Sequence, residues 1–64
     1  MTGTIKTLNK EKKFGFIAGE DGIDYFFHAS NLKNCGFEEL TRGREVTFED
    51  AEGSKGPRAE DVYV

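Results

Sequence analysis

An all-β fold, five short strands closing into a small antiparallel barrel, is predicted by three features of the sequence. Turn-forming clusters of Gly, Asn, Asp and Pro punctuate the chain at short intervals. The segments between them are brief and rich in Thr, Val, Ile, Phe and Tyr, the residues that fit a pleated surface. No stretch carries the three-to-four-residue apolar period of a long helix.

The first strand is predicted over 2–8, where Thr and Ile are frequent, and Asn9-Lys10-Glu11-Lys12 forms a polar turn after it. The second is predicted over 13–18 and ends at the hairpin signal Gly19-Glu20-Asp21-Gly22. The third covers 23–28. A longer connection, 29–43, follows, with a short helical turn expected near Ser30-Asn31-Leu32. The fourth strand is predicted over 44–50, the loop Gly53-Ser54-Lys55-Gly56-Pro57 reverses the chain, and the fifth runs over 58–64. So many strands in so short a chain must curl together to remove their edges. Strand count alone fits an SH3-like barrel as well as an OB-type one.

Size and composition narrow the function. Sixty-four residues are expected to form one domain, 1–64. Folding at this size buries roughly 60% of the unfolded surface, too little for a deep catalytic cleft. Cys35 is the only cysteine and His28 the only histidine, so neither an intrachain disulfide nor a zinc site is expected. The single free thiol fits a reducing cytoplasm. The N-terminal residues show no apolar signal segment, and no run is long enough to span a membrane. The net charge of −3 is unevenly spread: residues 1–34 carry five Lys against four acids, and 35–64 carry four bases against eight acids. Four of the lysines fall within 6–13.

The informative segments are Lys12-Lys13-Phe14-Gly15-Phe16-Ile17 and Asp24-Tyr25-Phe26-Phe27-His28. Side chains in a strand alternate faces. A charged Asp and an imidazole do not enter a tiny core without partners, so Asp24, Phe26 and His28 are expected to face solvent. Ile23, Tyr25 and Phe27 are then expected inside, with the Tyr hydroxyl at the rim. If the second and third strands pair as a hairpin, Phe14 and Phe16 join Phe26 and His28 on the outer face. Such an exposed aromatic patch marks a contact surface, and its chemistry suits unpaired bases, each stack being worth roughly 1–3 kcal/mol. Neighbouring lysines would hold phosphates, Asp24 would accept hydrogen bonds from base edges, and Gly15 would let a base approach the backbone. The competing reading of the same alternation puts Phe14 and Phe16 in the core, with Gly15 at a bulge.

These two segments resemble the RNA-binding motifs of the cold-shock domain family. The first family motif reads Lys-Gly-Phe-Gly-Phe-Ile and is matched by residues 12–17. The second reads approximately Val-Phe-Val-His-Phe and is matched by Tyr25-Phe26-Phe27-His28-Ala29. Ile5-Lys6 and Asn9 fit the first strand, Gly36-Phe37 the mid-chain loop, and Gly53-Ser54-Lys55-Gly56-Pro57-Arg58-Ala59 the family's Gly-x-x-Gly-Pro-x-Ala segment. The resemblance implies a five-stranded antiparallel OB-fold barrel that binds single-stranded nucleic acid and acts as an RNA chaperone. Carried over by position, it places Lys6, Lys12, Phe14, Phe16, Asp24, Phe26, His28, Phe37 and Lys55 at the binding surface. Lys13, where the motif has Gly, is added as a further phosphate contact. Other departures are Thr7 and Leu8 in place of Trp and Phe, Ala29 in place of Phe, and Tyr25 and Phe27 in place of Val. They imply a narrower platform, with weaker or more selective binding, and a core that must make room for two large rings.

The expected partner is single-stranded RNA or DNA, bound by a monomer without cofactor, metal, membrane or small-molecule substrate. A protein-interaction barrel that has lost nucleic-acid binding is the alternative, suggested by the missing rings and the acidic second half. Catalysis is not expected, because a chain this small offers His28 no cleft that would exclude water.

Overall fold

Alternation and turn chemistry produce five strands in the structure, a computed structural model that describes residues 1–53 and 56–64. Strand β1 spans Thr2–Asn9, β2 Phe14–Gly19, β3 Asp24–His28, β4 Glu45–Gly53 and β5 Gly56–Tyr63. The connection from β3 to β4 holds two single-turn 3-10 segments. One is Ala29–Asn31, close to the expected position, and the other is Phe37–Glu39. Among the described residues no helix is long and apolar enough to cross a membrane.

The strands close into a barrel in the order β1-β2-β3-β5-β4, with β4 returning to β1. Four seams are antiparallel, and the β3–β5 seam is parallel, registered through Phe26 and Arg58. The parallel seam follows from counting: directions cannot alternate all the way round a ring with an odd number of strands. An isolated parallel bridge between Leu32 and Val62 lies beyond the end of β3.

Alternation builds the core. Tyr25 and Phe27 of β3, Val46 and Phe48 of β4, and Ile17 of β2 all point inward and are buried. The two large rings of β3 fit because glycines on β2 give way to them. A Cβ on Gly15 would meet the Phe27 ring at 2.9 Å, and one on Gly19 would meet Tyr25 at 2.7 Å. Gly15 therefore opens space toward the core, where Phe27 fills it, and not toward an approaching base. The Tyr25 hydroxyl reaches the rim and donates to Asp21 Oδ2 at 2.6 Å. That bond, aided by burial and by the charges of Asp21 and Asp50, pushes the phenol up to about 12.

Two side chains leave their expected places. Ile23 is 44% exposed because the chain is still in the turn there. Its N–H donates to Asp21 Oδ1 at 3.1 Å and its carbonyl accepts from Gly19 at 2.8 Å, which holds the residue outside the alternation of β3. Phe37, expected as an exposed stacking ring, is only 5% exposed. Its 3-10 turn folds the ring onto Phe27, with centroids 6.0 Å apart. In a barrel this small, burying a Phe side chain is worth about 1.5–3 kcal/mol, and the loop supplies core volume that the strands lack.

Candidate nucleic-acid interface

The outward positions of β2 and β3 are set by their register. Phe14 pairs with His28 and Phe16 with Phe26, while Gly15 opposite Phe27 and Ile17 opposite Tyr25 turn inward. Paired residues share a face, so the four rings form one outer patch. Phe14 and Phe16 are half-buried, Phe26 is 37% exposed and His28 is exposed. The core reading of Phe14 and Phe16 is thereby replaced by a lateral one, in which the rings bury their flanks against each other. Phe16 meets Phe14 edge-on (6.4 Å, 88°) and Phe26 near edge-on (5.8 Å, 70°), and Phe14 tilts over Phe26 at 5.5 Å. Edge-to-face contacts of this kind are attractive and fix ring orientation.

His28 is oriented by the turn that follows it. The Ser30 backbone N–H donates to Nδ1 at 3.2 Å, so in the neutral ring the proton sits on Nε2. The imidazole thus presents a donor and a flat face beside Phe14.

The charged positions fall into three groups. Lys6 is the unpaired residue of a β-bulge, because β1 pairs Ile5 with Ile17 and then Thr7 with Phe16. The slip leaves Lys6 and Thr7, two consecutive residues, both exposed. Lys6 Nζ reaches Asp24 Oδ2 at 2.6 Å, so the carboxylate expected to read bases already holds a lysine. Lys13 Nζ reaches Glu38 Oε1 at 2.7 Å, and this bond together with the lysine's charge holds the Glu38 carboxyl below the usual carboxylate range. Lys12 sits in the β1–β2 turn, its backbone N–H capped by Asn9 Oδ1 at 3.0 Å, with no ion pair among the described residues. Lys55 lies outside the described residues. Phe37 is withdrawn from the surface, as described above.

The fold adds one residue to this face that local sequence reading missed. Arg58 of β5 is in register with Phe26 across the parallel seam and is exposed, with Glu60 3.6 Å away. Only the order of strands around the barrel reveals this neighbour. No pattern within either segment could have shown it.

A closed five-stranded barrel that displays aromatic rings on its second and third strands belongs to the OB-fold class, whose corresponding face binds oligonucleotides. Comparison with known proteins is more specific. Residues 1–64 match the family described as "'Cold-shock' DNA-binding domain". The chain is 51% identical over 61 residues to cold shock-like protein CspLB of Listeria monocytogenes, covering 95% of this chain and 92% of that protein. It is 47% identical over 60 residues to cold shock protein 2 of Lactiplantibacillus plantarum, covering 94% and 91%. It is 48% identical over 62 residues to cold shock protein ScoF of Streptomyces coelicolor, covering 95% and 92%. The chain belongs to the cold-shock domain family.

Proposed function

We propose that residues 1–64 act as one binding unit for single-stranded RNA or DNA, stacking bases on Phe14, Phe16, Phe26 and His28. Lysines at the edge of the rings contact phosphates. In the cell this activity is that of an RNA chaperone in the cytoplasm, which melts or prevents secondary structure by holding bases unpaired, with no catalysis. The observation that carries the reading is the mutual packing of three phenylalanines on an outer face, in register with His28. A solvent-facing cluster of this kind has no role in the core, and each base stacked on it gains roughly 1–3 kcal/mol. Family membership and the names of the cold shock relatives point the same way.

Titration of a labelled oligopyrimidine tests the reading. Replacing Phe14 and Phe26 together by Ala removes two stacks, roughly 2–6 kcal/mol, and should weaken binding at least about thirtyfold. Undiminished affinity in the folded double variant would defeat it.

A protein-interaction surface is the second reading. It is favoured by the carboxylates that occupy Lys6 and Lys13. Salt separates the two. Single-strand binding weakens with log salt by about 0.7 per phosphate contact, whereas an apolar protein interface has no counterions to release.

A further inference from the structure

Ion pairing divides the basic side chains of this protein. Among the described residues Lys6, Lys13, Lys33 and Arg58 each pair with a carboxylate, whereas Lys10, Lys12, Arg42 and Arg44 make no ion pair, although the charge of Lys10 still reaches Glu38. Two of the unpaired cations, Lys10 from the β1–β2 turn and Arg42 from the connection before β4, line one open groove of about 490 Å³, together with Thr7, Leu8, Leu40 and Thr41. The groove is continuous with the aromatic face. Thr7 is the register partner of Phe16 across the β1–β2 seam, and the bulge at Lys6 keeps Thr7 exposed there. Buried Leu40 and half-buried Leu8, packed on the core, give the groove an apolar side.

We propose that this groove anchors the sugar-phosphate backbone of a single strand as it leaves the Phe16 ring, with Lys10 and Arg42 on its phosphates. The proposal rests on the stacking reading above and extends its footprint. The groove has no aromatic ring, so it offers no stacking surface for a base. Two cations, two threonine hydroxyls and an apolar side instead match alternating phosphate and sugar. The free energy of a phosphate contact is also greater at an unpaired cation, because Lys6 and Lys13 must first leave Asp24 and Glu38. Electrostatic anchoring therefore shifts from Lys6 and Lys13 toward the unpaired cations, Lys12 beside the rings and Lys10 and Arg42 in the groove.

The test compares two labelled oligothymidylates, one just long enough to cover the three rings and one twice that length. Lys10 and Arg42 are exposed, so Lys10→Gln and Arg42→Gln leave the core intact. Each should flatten the salt dependence of the longer oligomer by about 0.7, an affinity change about threefold smaller over a fourfold rise in salt. Binding of the short oligomer should keep its slope in both variants, and Lys33→Gln, an equal charge change outside the groove, should flatten neither. Unchanged slopes on the longer oligomer, equal flattening on the short one, or the same effect from Lys33→Gln would each overturn the groove assignment. Failure of the unmodified protein to bind either oligomer would instead remove the stacking reading, and the groove with it.

Discussion

Lys13 holds a left-handed backbone, φ 61°, and from that position its ammonium meets the Glu38 carboxylate at 2.7 Å. The pair ties the β1–β2 turn to the 3-10 turn that carries Phe37, while the Lys13 carbonyl accepts from Ala29 at 2.9 Å. A side chain in this backbone region costs roughly 1–2 kcal/mol, and glycine, which the family motif has here, carries no such penalty. An exposed ion pair is a weak compensation.

Lys13→Gly should therefore stabilise the fold by about 1 kcal/mol, raising the thermal midpoint by about 4–8 °C for a domain of this size. Thermal melts followed by circular dichroism measure it. An unchanged or lower midpoint would show that the tie to Glu38 outweighs the backbone strain.

Neighbouring phenylalanines on β3 should behave oppositely. Phe27 is fully buried, so Phe27→Ala should cost about 3–5 kcal/mol. That approaches the whole stability of a chain this short, about 3–10 kcal/mol at 0.05–0.15 kcal/mol per residue. Phe26→Ala removes an outer ring and should leave most of the fold stability while weakening oligonucleotide binding. Urea denaturation beside a binding titration separates the two effects.

Gly15→Ala places a methyl group 2.5 Å from the Thr7 carbonyl oxygen and 2.9 Å from the Phe27 ring. Neither neighbour is a flexible chain end. Overpacking of this kind should destabilise by about 1–3 kcal/mol, seen as a lower urea midpoint with an unchanged slope. If the glycine instead served only to admit a base, stability would hold and binding alone would fall.

The Tyr25–Asp21 hydrogen bond makes stability depend on pH at both ends. The Tyr25 phenol is raised from 10.0 to about 12, so its contribution is complete below about pH 10 and is lost as pH climbs toward 12. Asp21 is lowered, chiefly by the same bond and then by the Ile23 N–H. Its contribution is present above the ordinary carboxylate range and disappears as acid protonates it. Tyr25→Phe should flatten the alkaline decline, which denaturation midpoints measured between pH 9 and 12 would reveal.

How much was legible in the sequence depended on how local the determining physics was. Phe14, Phe16, Phe26 and His28 could be placed outside from alternation within two adjacent strands and the cost of burying Asp24 and His28. Strand limits shifted by a few residues at most, the largest change being the extension of β4 to Gly53. What failed was decided at longer range. Phe37 is drawn inward by Phe27, ten residues earlier in the chain, and Gly15 makes room for that same ring. Ile23 escapes the period of β3 because Asp21 and Gly19 hold it in the turn. The carboxylates on Lys6 and Lys13 come from β3 and the 3-10 turn, and Arg58 reaches Phe26 only through barrel closure.

That closure sits directly beneath the aromatic rings. The parallel join between Phe26 and Arg58 is where the wall of the cylinder is most narrowly fastened among the described residues. An oligonucleotide lying over both residues would act as a suture across it, so occupancy and the integrity of the wall rise together. Amides of β3 and β5 flanking the join should consequently exchange with solvent more slowly when the strand is bound.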